Sequence, residues 1–124
     1  MSDPIKHECG LAFIRLRKPF SYYQQQYGSV LWGLTKLYLL MEKQHNRGQD
    51  GAGLATVKLD VEPGYPFMNR IRSNAPQAIA DIFQKVALEI SELEKYHPDI
   101  KSHPGLMKGH VNFLGEIMLG HLRY

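Results

Sequence analysis

The sequence predicts an α+β fold, because two kinds of apolar pattern alternate along it. Short, mostly apolar runs at 10–16 (GLAFIRL), 52–59 (AGLATVKL) and 117–124 (IMLGHLRY) read as strands. Longer stretches at 30–45 and 79–95 carry apolar residues at helical spacing, as amphipathic helices facing a core do. With 124 residues, 44% of them hydrophobic and 22% charged, the chain has the size and composition of one globular domain.

Residues 1–8 read as a polar leader. The run 10–16 is so apolar that both faces of its strand are expected to be buried, and Pro19 ends it. Residues 20–29 form an aromatic, glutamine-rich connection with a short helical turn after Ser21. In 30–45, Leu34, Leu37, Tyr38 and Met41 share one face, and Gly48 is a suitable stop. Strand 52–59 follows, with Ala55, Val57 and Leu59 on one side; Glu62, Pro63, Gly64 and Pro66 make a turn, and Phe67 to Arg72 reads as a third strand. Ser73 or Asn74 is a candidate cap for the next helix and Pro76 suits its first turn. Ile79, Ile82, Phe83, Val86, Ile90 and Leu93 then form one stripe through Lys95, and Pro98 stops it. Residues 97–116 read as loop, and the strand 117–124 runs into the C-terminus.

Composition excludes several function classes. Cys9 is the single cysteine, so no internal disulfide framework exists, as in proteins of reducing compartments. No apolar stretch reaches the roughly 18–20 residues of a membrane span, and the N-terminus lacks the pattern of a secretory signal, so a cytoplasmic protein without a membrane partner is expected. The net charge is +3 and the pI about 9.0, a mild basic bias. Lys and Arg are scattered apart from Arg15, Arg17 and Lys18, and there is no aromatic-plus-basic motif such as RNA-binding strands carry; nothing beyond charge supports a nucleic-acid-binding module, so nucleic acid is not an expected partner.

Three stretches carry candidate chemistry. Cys9 opens the first strand; it reads either as a small buried hydrophobe or as a nucleophile. If residues 1–8 were removed, its own α-amine, with an ordinary pKa near ~8, would lie within reach of the thiol proton and no histidine would be needed. The stretch KQHNRGQDGAGLATV (43–57) packs Gly48, Gly51 and Gly53 around a helix-to-strand junction with Arg47 among them. It reads either as an ordinary glycine-rich loop or as a close backbone approach beside a site, and its spacing fits neither a P-loop nor a dinucleotide fingerprint. In GHLRY (120–124), His121 and Arg123 share one strand face and Leu122 and Tyr124 the other. Arg123 is then either a surface charge or a bidentate clamp for a carboxylate. The six histidines show no metal-ligand spacing, so no metal is expected.

Together, Cys9-Gly10 opening an apolar strand, then HNRGQDGAG, then GHLRY, resemble the N-terminal glutaminase domain of class II glutamine amidotransferases, which are N-terminal nucleophile hydrolases. Within that class the wording RGQDGAG is most similar to that of the amidophosphoribosyltransferases. The resemblance spans Cys9 to Tyr124 and rests on three motifs in the family order. It implies a four-layer α/β/β/α sandwich, of which residues 9–124 would supply the N-terminal part, with Met1–Glu8 as a propeptide cut before Cys9. It implies that Cys9 attacks the side-chain amide of L-glutamine and that Arg123 holds the α-carboxylate. Arg47 and Gly48 would support the nucleophile, and glycines 51 and 53 would let strand and loop pack tightly. It implies a C-terminal synthase domain that passes ammonia to a phosphoribosyl diphosphate acceptor in purine biosynthesis, a homo-oligomeric full-length protein, no cofactor in this chain, and Mg only in the synthase domain.

Two departures from the family pattern are present. Asn46 separates His45 from Arg47 where the family reads His-Arg-Gly, so His45 receives no role. The Asn-Gly pair of the family's oxyanion hole occurs nowhere in the sequence, and losing one oxyanion donor typically costs about 100–1000-fold in rate. The chain is therefore expected to be truncated and inactive alone. The alternative from another class is a non-catalytic α+β interaction domain that keeps the family outline without the chemistry.

Overall fold

The computed structural model describes residues 9–44 and 51–123. Its elements are β1 (Cys9–Arg15), α1 (Phe20–Tyr27), α2 (Trp32–Lys43), β2 (Gly51–Val57), β3 (Met68–Ser73), α3 (Ala78–Tyr96), a 3-10 turn (Ile100–Ser102), α4 (Pro104–His110) and β4 (Ile117–Arg123). The fold is α+β: a four-stranded sheet in the order β1-β4-β2-β3, every neighbouring pair antiparallel, with four helices. No described helix is long and apolar enough to cross a membrane.

The period-two pattern of the strands decides where the core lies. Ala12, Leu54, Thr56, Met118 and Leu122 point to one face and are buried. Helix α2 covers that face over β1 and β4, and α3 covers it over β2 and β3. Leu34, Leu37 and Met41 of α2 and Ile79, Ile82, Val86 and Ile90 of α3 complete the core, in the stripes that the helical spacing predicts. Pro19 sets an extended entry to α1, and Gly28 ends it at φ +83°, where its N–H donates to the Gln24 carbonyl at 2.8 Å. A left-handed residue of this kind is a position for glycine.

Among the described residues nothing covers the opposite face of the sheet, which corrects the expectation for β1. Leu11 is 63% and Phe13 60% exposed, because both lie on the face that no described helix covers. The apolar run in β1 thus marks two faces of different fate. Residues 97–116, expected as loop, contain the 3-10 turn and α4. Pro104 sits in the first turn of α4, where its missing N–H costs nothing, and Met107 anchors the helix with no exposed surface. The capping of α3 also differs. The helix begins at Ala78, past Pro76, and Ser73 acts from the end of β3: its Oγ accepts the Ala75 N–H at 3.1 Å and donates to Asp81 Oδ2 at 2.6 Å.

A polar clamp closes the end of the sheet formed by the exit of β2 and the start of β4. The Lys58 ammonium donates to the carbonyls of Lys108 and Val111, the second at 2.7 Å, at the C-terminus of α4. The Lys108 ammonium donates to the Leu59 carbonyl and to Glu116 Oε2, the latter at 2.6 Å, while Glu116 Oε1 accepts the Leu59 N–H at 2.8 Å. Burial pushes the Lys58 ammonium below its usual range. These groups tie β2, α4 and β4 together through partners that no local pattern in the sequence announces.

Two outcomes are expected. Leu54→Ala empties a site that is 2% exposed at the centre of the core, and urea unfolding should show a loss of about 2–5 kcal/mol. The Asp81 carboxyl lies below its ordinary 3.8, first through the Ser73 hydroxyl and then through Lys85. That stabilisation is present above 3.8 and is lost as pH falls through the lower folded-state value. In Ser73→Ala, an NMR pH titration should find the Asp81 carboxyl moved back upward.

Candidate active site

The open face brings two of the sequence candidates side by side. Cys9 of β1 is the cross-strand partner of Arg123 of β4, and Arg123 is in turn the partner of Gly51 of β2. Directly paired residues in antiparallel strands have Cα atoms about 4.5–5.5 Å apart and side chains on the same face. Cys9 is a free, exposed thiol, and Arg123 is exposed beside it.

The next row repeats the arrangement one pleat away. His121 pairs with Leu11 on one side and with Gly53 on the other, and Gly53 pairs with Arg72 of β3. As the strand pattern predicts, His121 and Arg123 share the exposed face while Leu122 is buried with 1% exposure. Gly51 and Gly53 therefore place no side chains of their own on the open face, although Gly51 is itself buried. Arg123 and His121 are their partners on β4, and Arg72 is the partner of Gly53 on β3. A Cβ at Gly51 would lie 2.8 Å from Asn74 Oδ1 and 3.0 Å from the Ser73 carbonyl oxygen, so a larger residue would displace the Asn74 side chain and crowd the Ser73 backbone. At Gly53 the nearest atom would be Arg72 Cγ at 3.6 Å, an ordinary contact, so space over the sheet rather than close packing accompanies that glycine.

Gly10 has a different reason. It faces α2, and a Cβ there would collide with the Gln44 side chain, whose Nε2 donates to the Leu11 carbonyl at 2.8 Å. Gln44 thus fastens the end of α2 to the strand that carries Cys9. Neither Gln44 nor Arg72 carries a signal that sequence reasoning identifies; both acquire a place only through the strand register.

The open-face positions of the four strands hold Arg15, Arg70, Arg72 and Arg123 and no Asp or Glu. Such a surface favours an anionic group, and an arginine beside a thiol allows one ligand to be held by a carboxylate and attacked elsewhere. Arg47 and Gly48, expected to support the nucleophile, lie outside the described residues, as do His45, Tyr124 and the leader Met1–Glu8. Among the described residues, no group of three His, Cys, Asp or Glu side chains is placed to hold a metal. His97 and His110, both exposed, stack at 5.2 Å at the C-terminal ends of α3 and α4.

Compared with family models, with curated proteins and with solved structures, the chain gives no match. The class that the structure defines is an α+β domain with a one-sided antiparallel sheet and an exposed Cys–Arg pair at one end of it.

The two glycines should respond differently to substitution. Gly51→Ala presses on the Ser73 backbone and should cost about 1–3 kcal/mol in chemical denaturation, whereas Gly53→Ala should cost less than about 1.5 kcal/mol.

Proposed function

We propose that the chain is the N-terminal part of a glutaminase domain, in which Cys9 is the nucleophile and Arg123 holds the α-carboxylate of L-glutamine. The observation that supports this reading best is the pairing of Cys9 with Arg123 on the open face. One residue supplies a thiol and its neighbour supplies a guanidinium able to bind a carboxylate bidentately, with Gly51 as the next cross-strand partner.

The chemistry follows from those groups. Cleavage before Cys9 frees its α-amine, which takes the thiol proton directly or through one water. The sulfur attacks the side-chain amide carbon of glutamine and forms a tetrahedral adduct. The protonated amine returns its proton to the amide nitrogen, the C–N bond breaks, and ammonia leaves a γ-glutamyl thioester. Water, deprotonated by the same amine, then attacks the thioester carbon and releases glutamate and the thiol. Arg47 and Gly48 would brace the nucleophile from the loop before β2. Oxyanion donors and the second half of a four-layer sandwich would come from further chain. The sheet face carrying exposed Leu11, Phe13, Met68 and Leu119 is the surface that a second sheet would cover.

In this reading the ammonia serves a synthase domain that transfers it to a phosphoribosyl diphosphate acceptor in purine biosynthesis, in a cytoplasmic homo-oligomer. Mg would be held in that domain, and this chain would hold no cofactor. The same open apolar face favours a second reading, an interaction domain without chemistry.

Kinetics of the whole enzyme separate the two. Cys9→Ser should abolish glutamine-dependent product while ammonia-dependent product persists. Arg123→Gln should raise the KM for glutamine by about 10-fold or more, as loss of a charge-assisted carboxylate contact does. Unchanged glutamine use in either variant would refute the assignment.

A further inference from the structure

From Gly10 to Met41 the sequence contains Arg15, Arg17, Lys18 and Lys36 and no Asp or Glu. The fold gathers these four cations around one cleft of about 390 Å³, between the end of β1 and helices α1 and α2. All four are exposed, no carboxylate lines the cleft, and among the described residues none of the four is ion-paired.

The wall of the cleft is aromatic. The Trp32 ring stacks on Tyr27 at 4.7 Å and 16° and on Tyr23 at 5.2 Å and 19°. Tyr22 meets Tyr23 edge-on at 5.2 Å. The Lys36 ammonium lies 5.6 Å from the Trp32 ring centre and that of Lys18 lies 5.7 Å from the Tyr22 ring centre. Tyr23 is buried and its hydroxyl accepts the Arg17 N–H at 3.3 Å, so the platform is tied to the basic strand end. Tyr27 is 53% exposed, the most exposed residue of the three stacked rings.

We propose that this cleft binds single-stranded nucleic acid, with phosphates against the four cations and a base on the ring of Tyr27. Unneutralised cations alone attract any polyanion, but a platform of near-parallel rings adds free energy only for a ligand with flat, unpaired rings of its own. A duplex keeps its bases stacked internally, and an acidic peptide has charge without the rings. The sequence, without an aromatic-plus-basic motif, predicts no such partner. The fold supplies the combination from three separate elements. The cleft is distinct from the Cys9–Arg123 pair, so this proposal stands or falls independently of the glutaminase reading.

Trp32 is the only tryptophan, so its fluorescence reports this cleft selectively. The purified chain is titrated with a short oligouridylate, the matching duplex, inorganic polyphosphate and polyglutamate. Saturable quenching is expected with the single strand and much weaker responses with the other three. With four phosphate contacts, affinity should fall about 50-fold between about 50 and 200 mM salt. By anisotropy of a labelled strand, Tyr27→Leu should weaken binding about 5–150-fold. Removing Arg17 and Lys18 charges by Gln substitution should lower the salt slope by about 1.4. Lys85→Gln, a cation on α3 away from the cleft, should change nothing. No quenching, equal response to polyphosphate, polyglutamate or duplex, or full affinity in Tyr27→Leu would each overturn the proposal.

Discussion

The structure depends on the insertion of β4, the last described strand in sequence, between β1, the first, and β2. Every residue from Ile117 to Arg123 pairs on both sides. The sheet interior therefore forms only when residues more than a hundred positions apart in sequence meet, a long-range closure of the kind that slows folding. Register is as important as insertion. A slip of one residue would send Leu122 to solvent and bury Arg123, because alternate side chains point to opposite faces. The packing of Met118 and Leu122 under the helices thus holds Cys9 and Arg123 together on the other face.

The two faces of the sheet divide the labour of the domain. One is sealed by α2 and α3 over a continuous core and by the Lys58–Lys108–Glu116 clamp at one end. The other carries the thiol, the arginines and an apolar surface that includes Leu11, Phe13 and Leu119. A face with so much exposed apolar area accompanied by cations of one sign invites a covering layer or a ligand of opposite charge. The proposed glutaminase reading uses both properties: carboxylate recognition at Arg123 and a second sheet over the apolar part.

Much of the fold is legible in the sequence, and what is missed has identifiable physical causes. The stripes in α2 and α3 are long and periodic, so Leu37, Met41, Ile82, Val86 and Ile90 fall where their spacing puts them. The strand face shared by His121 and Arg123 also follows from local alternation. The exposure of Leu11 and Phe13 does not, because an apolar run cannot say which face a helix will cover. Helix α4 is short, glycine-containing and anchored mainly by Met107, too brief for periodicity to reveal. At the site, Cys9 and Arg123 are visible as residue types in motifs, whereas their pairing is a matter of register. Arg72 and Gln44 become neighbours only through strand order, and the basic aromatic cleft only through the meeting of β1, α1 and α2.

The central claim is that Cys9 acts as a mature N-terminal nucleophile beside a carboxylate clamp. The most direct measurement is the intact mass and N-terminal peptide of the protein isolated from cells after exposure to an electrophilic glutamine analogue. The account predicts a chain that begins at Cys9 and carries a single adduct there, with labelling suppressed by L-glutamine. A chain that keeps residues 1–8 while still hydrolysing glutamine, or an adduct placed elsewhere, would contradict it.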